Sequence, residues 1–235
     1  GGQGDMDAAA LTAHISDALN VSATSDLNLA RIRAAFEAVW RLIPPEERAI
    51  LTRLTIIRGD ISPEAAQTLG RATPAQLDGL VRRSLLSRQP ETGYYSIHPL
   101  IHRCVQEWFK AETASQQIWH DHSAYYLRVL VREGRRTTGA DQREAARFIT
   151  ANLDNIRPAW AWAIDNQHFE AIDEAAEPLY AFLVFTLRLD EGDVWYTPAV
   201  NALRATPFSP RRDCMMAALL FYHAILSRHD VNRAK

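Results

Sequence analysis

Four imidazoles and a thiol lie close together in the middle of the chain: His98, His102, Cys104, His120 and His122. His98 and His102 are four residues apart, which puts both on one helix face, a spacing able to seat a zinc ion. A zinc site takes three or four convergent ligands, and only the i, i+4 pair converges by construction. We therefore expect no metal centre and read His102 as a satisfied structural histidine. His98 stands apart because of its place. Tyr94-Tyr95-Ser96-Ile97 reads as a short strand that runs directly into a helix opening at Pro99, and His98 is the junction. An imidazole there can reach something other than its own core. A phosphate favours the protonated ring and gains a charge-assisted hydrogen bond from it. The start of a helix also presents backbone N–H groups that tolerate an anion, although Pro99 removes one of them. On residues alone, this reading and that of a histidine capping its own helix stand level.

Other candidates have a plainer account. Arg82-Arg83 is a possible DNA contact, but no further basic stripe accompanies the pair, so a solvated turn of an amphipathic helix is the expected reading. Trp160-Ala161-Trp162 and Trp195-Tyr196 invite a ligand box. At helical spacing they are expected to be core, with a partner contact through Trp160 or Trp195 as the alternative. The acids Glu46-Glu47 and Asp190-Glu191-Asp193 fall at helix starts or turns, where capping explains them. The chain has no GxxxxGK[ST] loop, no GxGxxG and no GxSxG. No catalytic residue is expected, and the chain is not expected to be an enzyme by itself.

The elements that must position these residues are nearly all helical, because apolar residues recur at helical spacing almost everywhere. Helices are expected over residues 8–19 and 29–43, the second ended by Pro44-Pro45. Pro45 with Glu46-Glu47 opens the next, which stops before Gly59. Ser62-Pro63 and Thr73-Pro74 are two further start signals. Strands are expected at 86–88 and 94–97, joined by a turn over 89–93, and together they form a wing. Beyond it we expect helices over 99–114, 118–132, 144–150 and 152–164, with Asn152 as a cap. Residues 134–139 read as a loop and candidate boundary. Residues 169–187 and 193–205 read as an antiparallel helix pair, and 211–227 begin another. Helix pairs repeating at roughly 34–47 residues mark tetratricopeptide-like solenoids. The expected fold class is mainly α: a winged helix with a small two-stranded wing, followed by antiparallel helix pairs of a tetratricopeptide-like solenoid.

The bulk numbers set limits. At 235 residues, 47% hydrophobic and 23% charged, the chain can bury a core of one large or two modest domains. A net charge of −2 gives no electrostatic basis for a nucleic-acid partner. Two cysteines without a CxxC partner fit no disulfide framework and suggest a reducing, cytoplasmic setting. No apolar run approaches the ~20 residues that a membrane span takes. The chain stops inside a helical pattern, so we expect a piece of a longer protein. Gly1 to Gly4 need not be native.

Residues 30–109 resemble the winged-helix module of STAND-type signal-transduction NTPases, in particular NB-ARC-related regulators near the AfsR and LuxR types. The resemblance is carried by Ile32-Arg33-Ala34-Ala35-Phe36, Trp40-Arg41-Leu42, Pro45-Glu46-Glu47, Leu51, Leu54, Glu64-Ala65-Ala66, Leu80-Val81, Ser84-Leu85-Leu86 and Tyr95-Ser96-Ile97-His98-Pro99-Leu100-Ile101. Ala159-Trp160-Ala161-Trp162-Ala163 and the helix pairs resemble the start of the tetratricopeptide arm that often follows. The resemblance implies residues 1–27 as the tail of a preceding helical subdomain, 28–113 as the winged helix, 114–166 as a helical bridge and 167–235 as truncated repeats. It also implies a nucleotide-binding core in the parent, with ADP or ATP and Mg²⁺ bound there and no cofactor in this piece. His98 matches the histidine of the family's Met-His-Asp motif, which contacts the ADP phosphates. Ile97 replaces the methionine and Pro99 the aspartate. The implied partners are the parent's own core and a protein or small molecule on the arm, with no membrane. Two other readings remain: a DNA-binding transcription regulator using Arg82 and Arg83, and a protein-interaction scaffold.

Overall fold

The computed structural model describes residues 40–41, 43–99, 101–103, 105 and 115–233. The helix expected over 8–19, most of that over 29–43, Cys104 and all of 106–114 lie outside them. The chain divides into two compact units, at Ile118/Trp119. That division assigns most of the expected bridge to the same unit as the expected repeats.

The first unit is built on local signals that the chain states openly. Helix α1, Pro45–Leu54, begins on a proline with Glu46 and Glu47 in its first turn. Proline loses no helical bond there, and the acids meet the positive end of the helix dipole. Helix α2, Pro63–Gly70, is capped by Ser62, whose hydroxyl accepts from the Ala65 amide at 3.1 Å. Helix α3, Pro74–Arg82, carries a full capping box. The Thr73 hydroxyl accepts from the Gln76 amide, and the Gln76 side chain accepts from the Thr73 amide. Only Arg71, Ala72 and Thr73 separate α2 from α3. Ile50, Leu51 and Leu54 of α1, Ala65, Ala66 and Leu69 of α2, and Leu77 and Leu80 of α3 are buried as one apolar set.

Strands β1, Ser87–Arg88, and β2, Tyr95–Ser96, pair antiparallel with Ser87 opposite Ser96 and Arg88 opposite Tyr95. Each is shorter than its sequence pattern. Leu86 drops out because its amide, like that of Leu85, donates back to the Leu80 carbonyl at the end of α3. Gly93, at φ +71°, closes the turn, and its amide donates to the Gln89 carbonyl at 2.9 Å. On its other side Tyr95 is bonded to a third segment. The Ile61 and Tyr95 amides each donate to the other's carbonyl at 2.8 Å.

The second unit is helical throughout its described residues. It comprises α4 (Ser115–Arg136, most of which lies past the division), α5 (Gln142–Ala151), α6 (Leu153–Asp165) and α7 (Phe169–Phe185). A 3₁₀ turn, Leu189–Glu191, leads into α8 (Gly192–Arg204) and α9 (Pro210–Arg233). Its core holds Ile156, Trp160, Ile172, Leu179, Phe182, Trp195, Tyr196 and Leu203. Polar atoms inside it are used to cross-link helices. The Ser123 hydroxyl donates to the Ala159 carbonyl at 2.7 Å, joining α4 to α6, and the Tyr196 hydroxyl donates to the Ala176 carbonyl at 2.8 Å, joining α8 to α7.

Two local expectations need correction. Residues 134–139 are not one loop, since α4 continues to Arg136 and only a short turn separates it from α5. Gly134 is there for packing rather than for a bend. A Cβ on it would lie 2.5 Å from Pro178 Cβ and 2.7 Å from the Pro178 carbonyl oxygen of α7. Asn152, expected to cap α6, makes no side-chain cap to it. Its amide nitrogen donates instead to the Phe148 carbonyl at 2.8 Å, closing the end of α5.

The close approach at Gly134 predicts that Gly134→Ala forces α4 and α7 apart. The expected loss is roughly 1–3 kcal/mol of stability, the usual cost of overpacking. Gly139→Ala, whose Cβ meets only the Arg136 carbonyl oxygen at an ordinary 3.6 Å, is the control and is expected to change little. Urea denaturation followed by tryptophan fluorescence distinguishes the two.

Candidate functional site

His98 is exposed, as expected for a side chain at the end of a hairpin. Its neighbours put it there. Tyr95, three residues before it, is held between Arg88 and Ile61, and its ring is buried. Four residues after it, the His102 amide donates to the His98 carbonyl at 2.9 Å, the first helical bond of the stretch that follows the wing.

The ring lines an open depression of about 560 Å³. One wall is the loop Ile57, Gly59, Asp60 and Ile61 after α1, and the other is Ser87, Ser96, Ile97, Pro99 and His102. Gly59 takes φ +77°, a conformation that glycine adopts at no steric cost, and no atom would obstruct a Cβ there within 4 Å. Its role is therefore the bend. Asp60 is tied to the wing by a 3.1 Å hydrogen bond from the Gln89 side chain. The depression thus offers an exposed imidazole, two serine hydroxyls, a carboxylate and a second, half-buried imidazole.

That second imidazole is His102. Burial pushes its pKa below the ordinary 6.5, while hydrogen bonds to the main chain of Thr55 and Ile57 partly oppose the shift. Sequence spacing gave no hint of its partners, which sit at the end of α1. Among the described residues, no group of three or more His, Cys, Asp or Glu side chains is placed to hold a metal ion.

Arg82 and Arg83 are not a matched pair. Arg82 is exposed on α3, whereas Arg83 forms an ion pair with Glu47 of α1, whose side chain is 14% exposed. Asp78 lies on the same helix, 3.6 Å from Arg88. The surface around the two arginines therefore carries both signs of charge.

Trp160 and Trp195 are core side chains, 3% and 2% exposed. Their rings meet edge to face at 5.9 Å, and the Trp160 indole N–H donates to the Trp195 carbonyl at 2.9 Å. Both border a cavity of about 260 Å³ with Arg157, Ile164, Val194 and Pro198, so a partner would meet them only from within it. Beside them is a residue that the sequence reading undervalued. Glu191 is more than a capping acid and makes no side-chain cap. It accepts from Arg157 at 2.6 Å, Arg188 at 2.9 Å and the Trp195 indole N–H at 3.2 Å, while the Arg157 guanidinium lies 4.9 Å over the Trp195 ring. Burial alone would raise its pKa. The bonds from Trp195 and Arg188 and the charge and bond of Arg157 outweigh that and hold it below 4.5. Arg188 and Trp195 were legible as neighbours at −3 and +4, but Arg157 is far off in sequence.

These two groups predict two acid-sensitive windows. A depressed histidine pKa means that the unfolded chain binds the proton first. The first unit should therefore lose stability as pH falls below about 6.5, and His102→Gln should remove that loss. Glu191 stabilises the second unit as the anion, so that contribution should persist to about pH 4.5 and disappear as pH falls through the lower folded value. Glu191→Gln should remove it. Hydrogen exchange resolved by unit and followed against pH checks both. Comparison with known proteins adds nothing to this geometry: no family model, curated protein or solved structure matches the chain.

Proposed function

We propose that the chain is a non-catalytic regulatory piece of a STAND-type signalling ATPase. Residues 28–113 act as a winged helix that reads the ADP or ATP state through His98, and the tetratricopeptide-like helices from residue 167 onward relay it to a ligand- or partner-binding arm. The observation that carries this reading is His98 itself. Its exposed ring borders a depression where a hairpin re-enters a helix, a place from which an imidazole can meet a group belonging to another body. The three-residue connection between α2 and α3 followed by a hairpin supports a winged helix. The succession of α7, α8 and α9 from residue 169 onward supports repeated helix pairs.

The chain contributes one contact to the nucleotide, because its sequence contains no phosphate loop. Bound to a core elsewhere in the parent, ADP supplies the phosphate charge that a histidine can meet. His98 then donates from a ring nitrogen to a phosphate oxygen and holds the winged helix against the core. Pro99 supplies no carboxylate to orient the ring, and Asp60 is the carboxylate that lines the same depression. Exchange of ADP for ATP, or an input on the arm, shifts a two-state equilibrium away from the closed form.

DNA binding is less well supported, since Arg83 is paired with Glu47 and Asp78 shares the helix. A gel-shift titration separates the readings: salt-sensitive duplex binding abolished by the Arg82→Ala, Arg83→Ala double variant would favour DNA.

In a parent protein carrying the core, His98→Ala is expected to weaken ADP binding by about tenfold, roughly the 1.4 kcal/mol of one charge-assisted hydrogen bond. It should also raise basal output. Calorimetry with ADP and an assay of output without stimulus are the measurements. Unchanged affinity together with unchanged output would sink the proposal.

A further inference from the structure

We propose that the cavity beside Trp160 and Trp195 binds a small apolar ω-amino acid: a hydrocarbon body with a carboxylate at one end and an ammonium at the other. The site lies wholly within the second unit and does not depend on the nucleotide reading of His98.

Trp160 and Ile164 of α6 and Val194, Trp195 and Pro198 of α8 give the cavity a mostly apolar lining. Its volume of about 260 Å³ suits a compact ligand rather than a drug-sized one. Val194 is 62% exposed, so the α8 side is open to solvent. The two indoles are fixed in place. They meet edge to face at 5.9 Å, and both of their N–H groups are occupied, Trp160 donating to the Trp195 carbonyl and Trp195 to Glu191. The lining therefore offers no side-chain donor to the middle of a ligand. A peptide would bury its own amides there without partners, which is costly, whereas a hydrocarbon chain has nothing to satisfy.

Charge enters only at Arg157 and Asp165. They stand eight residues apart on α6, roughly 12 Å of helix rise, and both line the cavity. The Arg157 guanidinium is held 4.9 Å over the Trp195 ring and donates from Nη2 to Glu191 at 2.6 Å. A guanidinium has five N–H donors, so others remain for a ligand carboxylate. The Asp165 side chain is exposed and, among the described residues, has no hydrogen-bond or ion-pair partner. Glu191 does not compete for an ammonium, because Arg157, Arg188 and Trp195 already converge on it. An apolar anion would gain Arg157 but sit against Asp165, and an apolar amine would do the reverse. A ligand charged oppositely at its two ends meets both.

The test uses this chain with ω-aminooctanoate as the probe. Calorimetry gives the affinity, and the indole N–H resonances of Trp160 and Trp195 report the place. Binding is expected to shift both resonances. Octanoate and octylamine, with one charge each, should bind about fivefold more weakly, the upper worth of one exposed ion pair. The tripeptide alanyl-leucyl-alanine has both end charges but two amides between them, and should bind more weakly than ω-aminooctanoate. Asp165→Asn should lower the affinity for ω-aminooctanoate to that for octanoate and leave octanoate no weaker. Val194→Trp, which sets an indole at the open side, should abolish binding. Both positions are exposed, and an unchanged urea midpoint would show that the variants fold. No shift of the two indoles by ω-aminooctanoate would overturn the proposal. So would equal affinity for octanoate or octylamine, indifference to Asp165→Asn, or binding retained in Val194→Trp. Tighter binding of the tripeptide would overturn the ligand class and make the cavity a peptide site.

Discussion

The main chain of Tyr95 lies between two neighbours: it stands opposite Arg88 across the hairpin and exchanges two hydrogen bonds with Ile61 in the loop after α1. Nearly everything at the candidate site depends on that double pairing. It brings the segment 57–61 beside the end of the wing, which creates the two walls of the depression. It also spends the polar groups of a backbone that would otherwise be buried without partners. The Tyr95 ring fills the space beneath, so that the chain can surface at His98 only a few residues later. An exposed imidazole on a well-held backbone is better placed for recognition than one on a loose loop, because little ordering is needed when it engages.

The second unit is held by a different kind of constraint. Its helices meet at a few points where size or charge admits little variation. Gly134 against Pro178 is steric: main chain approaches main chain, and no side chain fits between. Glu191 is electrostatic. One carboxylate gathers Arg157 from α6, Arg188 from the turn after α7 and the Trp195 indole of α8. Such a carboxylate is costly to bury alone and stabilising only when its partners are all present. Two members of that group, Arg157 and Trp195, also line the cavity beside Trp160.

Helix starts carry plainer signals in this sequence than helix ends, for a physical reason, although the ends expected at 164, 187 and 205 fall within two residues of those observed. Ser62, Thr73 and three prolines announce beginnings because capping and a fixed φ demand those residue types. Endings are usually announced by glycine in a left-handed conformation. Here Arg71, Ser84, Gln167 and Leu187 occupy that position, at φ 52° to 59°, so no glycine marks the stop. Gly134 misleads in the opposite sense, being a glycine inside a helix. The same division runs through the site. That a histidine stands at a strand-to-helix junction could be read from residues 94–99, since the pattern is local. That His102 reaches Thr55 and Ile57, or that Arg83 is taken by Glu47, could not, because those contacts are made by the tertiary fold.

The outer strand of the small sheet has only two paired residues, both with exposed side chains, and they are followed by Gln89 and Pro90. Proline has no N–H to offer, and Arg88 places a charge on the rim. A foreign strand seeking to extend this sheet would find almost no ladder to continue and a cation in its way. The hairpin can therefore project its tip into water at high protein concentration without becoming a template for edge-to-edge aggregation.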